Sequence, residues 1–196
     1  MIWLRQLIAL SLLIFGTSLP AAADMGKEPD ILHHGNDSAA LRHLRLLAGG
    51  GDARAQFRLG MMCATGQGVR RDYQAAARWL EKSAEQGNPR AENNLGALYD
   101  QGRGLAQDSK KAAYWYRKAA EQGNAAAEVN LASLYQQGRG VPLDAINAFA
   151  WASAAGRLGE PGAEGILRGV AKNMTPTQIK RAQKIARSYR NTSLAG

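Results

Sequence analysis

"NPRAENNLGALYDQGRGLAQDSKKAAYWYRKAAEQG", residues 88–123, carries two helical patterns joined by a glycine-rich turn. In the first half, Ala91, Leu95, Leu98 and Tyr99 fall at helical spacing. Gly102 stands where helices commonly stop on a left-handed residue. Asp108 is a good N-cap for a second helix. That helix has Ala112, Trp115, Tyr116 and Ala119 as its apolar stripe and ends at Gly123. Its alanines admit close helix approach, and its aromatics fill the remaining gaps. The stretch predicts an antiparallel pair of helices.

The same grammar recurs every 36 residues. Glycine pairs fall at 66/68, 102/104 and 138/140. Trp79, Trp115 and Trp151 keep the step, as do Asp72, Asp108 and Asp144. Leu59, Leu95, Leu131 and Leu167 keep it too. A Gly-x-Gly before a helix also opens many phosphate-binding loops. Those loops follow a strand and carry further glycines or a Lys-Ser/Thr pair. No strand pattern precedes these stretches, and "VRRD" follows Gly68. The glycine pairs therefore read as turns between paired helices. Self-similarity at this period marks a repeat array.

The expected fold is all-α: an α-solenoid of antiparallel helix pairs, closed by a C-terminal capping helix. A half-unit at 39–50 leads units 51–86, 87–122 and 123–158 and a partial unit at 159–172. Residues 173–196 hold the capping helix and tail. In "TPTQIKRAQKIARSYR", Thr175 is the N-cap, Pro176 takes the first helical position and Gln178 completes a capping box. Ile179, Ala182, Ile185, Ala186 and Tyr189 should face the array. Lys180, Arg181, Lys184, Arg187 and Arg190 should face outward.

Residues 1–23 have a different character. One positive charge, the apolar run "QLIALSLLIFG" and small residues at Ala21 and Ala23 match a cleavable signal peptide, cut after Ala23. Residues 24–38 read as a flexible lead-in. The expected location is periplasmic or secreted, with no stable membrane span after cleavage. No cysteine follows the apolar run, so a lipoprotein leader is excluded, and the lone Cys63 forms no internal disulfide. The net charge of +9 favours anionic partners or solubility. Export takes the chain away from nucleic acid, which is not expected as a partner.

These residues resemble the Sel1-like repeat family, relatives of the tetratricopeptide repeat. The resemblance rests on Ala91, Leu95, Gly96, Tyr99, Gly102, Gly104, Asp108, Ala112, Trp115, Tyr116, Lys118, Ala119, Ala120 and Gly123. It covers roughly residues 39–172. It implies a curved solenoid with a concave surface and a role in holding other proteins together, often in bacterial envelope and signalling assemblies. Some cysteine-rich members are described as binding or cleaving β-lactams, but this chain lacks their paired cysteines. Cys63 stands where Tyr99 and Tyr135 stand, and Ala132 replaces the usual glycine.

No catalytic constellation emerges. Cys63 takes a core position of the repeat, and His33, His34 and His43 lie at the N-terminal edge. The histidines match no familiar metal-ligand spacing, so no cofactor and no metal are expected. The tryptophans at the 36-residue step read as core. What remains is a stripe on the first helix of each unit, beside the core stripe. It reads Arg54, Phe57, Arg58, Met61 and Thr65, then Arg90, Asn93, Asn94, Ala97 and Gln101. In the third unit it reads Ala126, Val129, Asn130, Ser133 and Gln137. Arginines beside Phe57 and Met61 suit an extended peptide or helix with an acidic end. The expected function is a non-catalytic scaffold or adaptor that binds a protein or peptide through this groove. The alternative is a peptidoglycan-associated envelope protein, or a β-lactam-binding or -hydrolysing enzyme.

Overall fold

The structure, a computed structural model, describes residues 38–193, with side chains as far as Tyr189. The leader expected at 1–23 and the lead-in expected from residue 24 lie outside the described residues. Ser38 already belongs to the array, since its Oγ accepts from the amide of Leu41 at 3.2 Å and caps the first helix.

Among the described residues there are helices and no strands. They run α1 Ala39–Gly49, α2 Ala53–Thr65, α3 Tyr73–Glu85, α4 Pro89–Gln101 and α5 Ser109–Glu121. They continue with α6 Ala125–Gln137, α7 Ala145–Arg157, α8 Ala163–Ala171 and α9 Pro176–Ser193. From α1 to α8 each helix packs on the next in the chain, which makes the α-solenoid. Then α9 reaches back past α8 and packs on α7.

The second helix of each unit starts where an aspartate caps it. Asp72 Oδ1 accepts from the amides of Gln74 and Ala75, and Asp108 Oδ1 from those of Lys110 and Lys111. Asp144 Oδ1 accepts from the amide of Asn147. At α9 the capping box is complete. Gln178 Oε1 accepts from the Thr175 amide at 2.8 Å, and Thr175 Oγ1 from the Gln178 amide at 3.2 Å. The first helices end on left-handed Gly66, Gly102 and Gly138.

The second glycine of each pair has a role beyond the turn. Gly104 has φ of 72° and sits against the preceding unit. A Cβ there would lie 2.3 Å from the carbonyl carbon and oxygen of Tyr73, at the start of α3. Gly140 meets the backbone of Ser109, at the start of α5, in the same way. The turn of one unit thus lies on the N-terminus of the previous unit's second helix. Within a pair, Gly60 faces Leu80 and Gly96 faces Tyr116, each with a Cβ position only 2.8 Å from the partner side chain. In the third unit the same register holds Ala132 and Ala152. The small partner leaves room for the methyl, which accounts for the departure at Ala132.

The tryptophan column differs from expectation at one place. Trp79 and Trp151 are buried, but Trp115 is half-buried. What covers each ring changes along the array. Lys82 Nζ lies 4.5 Å from the Trp79 ring and Lys118 Nζ 5.0 Å from the Trp115 ring. Position 154 has no lysine, and Tyr189 of α9 stacks on Trp151 instead, with ring centroids 3.7 Å apart and planes at 7°. The C-terminal cluster around Ala148, Phe149, Val170, Met174, Ala182 and Ala186 fixes α9 there, with Ile179, Ile185 and Tyr189 packed against it. Arg157 adds a donated bond to the Ala186 carbonyl at 2.6 Å.

A second column, of polar residues, runs inside the array at the same step: Gln56, Glu92 and Glu128, all buried. Gln56 donates to the Ala48 carbonyl at 3.1 Å and accepts from Gln86 at 2.7 Å. Glu92 accepts from Gln122 at 2.6 Å and pairs with Lys118 at 3.3 Å. Glu128 has neither partner, since Ala154 and Leu158 occupy those registers and its Oε2 is buried without a hydrogen bond. Among the described residues of the helices packed on α6 (α5, α7 and α8), the charge that bears on it is that of Arg157 in α7. Burial pushes the Glu128 carboxyl up to about 7, against the pull of Arg157.

Two outcomes follow for stability. Gly87 is also left-handed but has open space where its Cβ would be, so Gly87→Ala carries only the backbone strain, about 1–2 kcal/mol. Gly104→Ala adds a collision with the Tyr73 backbone. Its urea midpoint should fall well below that of Gly87→Ala, and equal midpoints would refute the seam. Glu128 holds its proton more tightly folded than unfolded, where a glutamate titrates near 4.5. The folded state therefore loses stability as pH rises from about 4.5 to about 7. Glu128→Gln should flatten that fall, gaining about 1–3 kcal/mol on the wild type between pH 4.5 and 7.5. Parallel pH profiles from thermal melts of the two proteins would contradict the assignment.

Candidate partner-binding face

The first helices α2, α4 and α6 repeat at the 36-residue step and set corresponding stripes side by side. Their inner stripes are committed to the core: Ala55, Leu59 and Cys63 in α2, Ala91 and Leu95 in α4, Ala127 and Leu131 in α6. Cys63 is 1% exposed, and burial pushes its thiol up to about 11. That holds it as a neutral core residue rather than a thiolate. The three arginines of the stripe, Arg54, Arg58 and Arg90, are exposed.

The structure brings four of the expected residues together. Arg54, Phe57, Arg58 and Arg90 line one depression of about 530 Å³ at the boundary of the first and second units. Its remaining wall is the segment from Gln86 to Pro89, together with Ala53. None of its lining residues carries a carboxylate. Among the described residues, no acid pairs with the guanidinium of Arg54, Arg58 or Arg90. Phe57 is half-buried, so its ring forms part of the floor.

The rest of the stripe is less free than the sequence suggested. Met61, Asn93, Asn94 and Asn130 are half-buried. Asn130 donates to Asn93 at 3.0 Å across the second and third units, and Asn94 donates to the Arg90 carbonyl at 2.7 Å. Gln101 and Gln137 are exposed at the far end of their helices. Gln137 donates to Ser133 Oγ at 2.9 Å. These amides stiffen the face and link its units.

Sequence reasoning missed the share of the 86–89 segment in the depression. The signal was present: the step of 36 sets the start of α4 beside the start of α2, and so the segment leading into α4 beside Arg54. It also missed the buried column Gln56, Glu92 and Glu128, although these residues keep the step as well as the leucines do. A larger depression, about 770 Å³, lies among α7, α8 and α9. It is lined by Arg157 and Arg187 together with Glu160 and Glu164, so its charges offset one another. Among the described residues no cluster of His, Cys, Asp or Glu could hold a metal ion. None of the described helices is long and apolar enough to cross a membrane.

The comparisons with known proteins agree with this architecture. The family model described as "Sel1 repeat" matches residues 53–88, 89–124 and 125–160. The chain is similar to a Sel1 repeat protein from Oxalobacter formigenes, at 35% identity and TM-score 0.60 over 66% of this chain and 98% of that one. It is similar to c5321, a protective antigen of uropathogenic Escherichia coli with an SLR fold, at 27% identity and TM-score 0.60 over 79% of this chain. The match spans 41% of that antigen's own length. Helicobacter pylori cysteine rich protein B shares the fold, at 24% identity and TM-score 0.53 over 68% of this chain and 100% of that one. No curated protein matches. With three repeat matches in register over more than half of its length, the chain belongs to the Sel1 repeat family.

Proposed function

We propose that the protein is an exported, non-catalytic module that captures a partner protein or peptide on the face of its first helices. One observation carries this reading: Arg54, Phe57, Arg58 and Arg90, from two successive units, converge on a single depression. Arginine and aromatic side chains dominate the energetics of protein contacts, and among the described residues no acid pairs with these arginines. Family membership supports a scaffolding role by analogy of fold. The charge, apolar run and small residues of positions 1–23 support export to the periplasm or beyond.

In-cell crosslinking of the full-length gene product, followed by mass spectrometry, tests the face. The variant Phe57→Ser/Met61→Ser/Asn94→Ala should melt cooperatively and lose at least tenfold of the crosslinked partner. Undiminished crosslinking by that variant would remove the face from the proposal. N-terminal sequencing of the exported protein should begin at Asp24. A chain that retains Met1 would overturn the cleaved leader. Turnover of a chromogenic β-lactam above background would overturn the non-catalytic reading.

A further inference from the structure

Of the two depressions described above, the one among α7, α8 and α9 is lined by charges of both signs, and the one at Arg54 and Arg90 by positive charge alone. Two helix N-termini also open onto it. Ala53 and Arg54 begin α2, and Pro89 and Arg90 begin α4, and both pairs line the cavity. Aligned peptide dipoles leave partial positive charge at such ends, which adds to the three guanidinium groups. The floor differs from that of a plain anion site. Phe57, Pro89 and Ala53 are apolar, and Gln86 and Asn88 supply amides at the wall. That mixture matches a peptide: carboxylates for the arginines, an apolar side chain for Phe57, and amides beside the main chain. A bare polyanion would leave Phe57 and Pro89 unused.

The polarity is local to this end of the array. Position 54 recurs as Arg90 and then Ala126, and position 58 as Asn94 and then Asn130. Positive charge is therefore concentrated in the first two units of the stripe and absent from the third.

We infer that this cavity is the anchoring subsite of the face, and that it takes an acidic segment of a partner polypeptide carrying an aliphatic or aromatic residue beside its carboxylates. The inference rests on the partner-binding reading above and names the chemistry of the partner. Arg54, Arg58 and Arg90 hold the carboxylates, bidentate where geometry allows. Phe57 receives the apolar side chain. The third unit extends the contact through neutral polar groups.

Fluorescence anisotropy with a labelled 12-residue peptide of three Glu-Leu-Glu-Ser blocks tests this on the full chain. Two control peptides replace Glu by Gln and Leu by Ser. The parent peptide should bind, and each control should bind at least tenfold more weakly. Arg54→Gln/Arg90→Gln should weaken the parent peptide at least tenfold and leave the melting temperature nearly unchanged, since both side chains are exposed and, among the described residues, neither guanidinium pairs with an acid. Lys180→Gln/Arg181→Gln, on the outer face of α9, should leave binding within twofold. Equal binding of the Gln peptide overturns the carboxylate assignment. Equal binding of the Ser peptide, with full displacement by inorganic polyphosphate, overturns the peptide in favour of a polyanion. Equal loss in the α9 variant overturns the subsite in favour of diffuse charge. A native partner lost by Phe57→Ser/Met61→Ser/Asn94→Ala but kept by Arg54→Gln/Arg90→Gln refutes the arginine subsite alone and leaves the face standing. Loss by neither variant refutes both.

Discussion

Gly104 rests on the backbone of Tyr73, and Gly140 on that of Ser109, closer than any side chain would permit. This contact joins one repeat to the one before it. The left-handed turn brings the loop down onto a helix N-terminus that Asp72 or Asp108 has already capped. Both halves of the joint are polar backbone, so the fit depends on shape rather than on apolar area. Side-chain contacts reinforce it, such as the ion pair of Arg139 with Asp100 across the second and third units. The spacing of the first helices follows from this joint, and so does the alignment that puts Arg54 and Arg90 at one cavity.

A trade is visible at the C-terminal end. In the second unit, Lys118 serves two neighbours, lying over the Trp115 ring and pairing with Glu92. In the third unit the equivalent residue is Ala154. With the lysine absent, the face of Trp151 is open, and Tyr189 of α9 stacks there. The same absence leaves Glu128 without the lysine that pairs with Glu92, and burial pushes its carboxyl up to about 7 against the pull of Arg157. Docking the last helix and neutralising that carboxyl thus compete for one position. A buried acid can lose its partner and remain in the fold because it can keep its proton.

The fold was legible because the leucines, tryptophans, aspartates and glycines repeat without an insertion. Such regularity gives register directly, and register gives the helix pairs, caps and turns. The capping box of Thr175 and Gln178 was readable for another reason, as it is a local rule that needs no tertiary knowledge. Other features needed three dimensions. That Asn93 and Asn130 bond to each other depends on the distance between units, which periodicity alone does not supply. Trp115 shares its register with two buried tryptophans but is itself half-buried, since neighbours outside its own helix decide its exposure. The Gln56, Glu92 and Glu128 column was overlooked because a carboxylate is usually a surface residue. Only the packing shows that it turns inward.

Ala154 also limits how such an array can grow. A copy of the second unit inserted beside itself would meet the lysine, glutamate and glycine partners it already uses. A copy of the third unit inserted beside itself would give two tryptophans with no lysine at the register of Lys118, and Tyr189 could stack on one of them alone. Duplication of the second unit therefore keeps every partner in place, and duplication of the third does not.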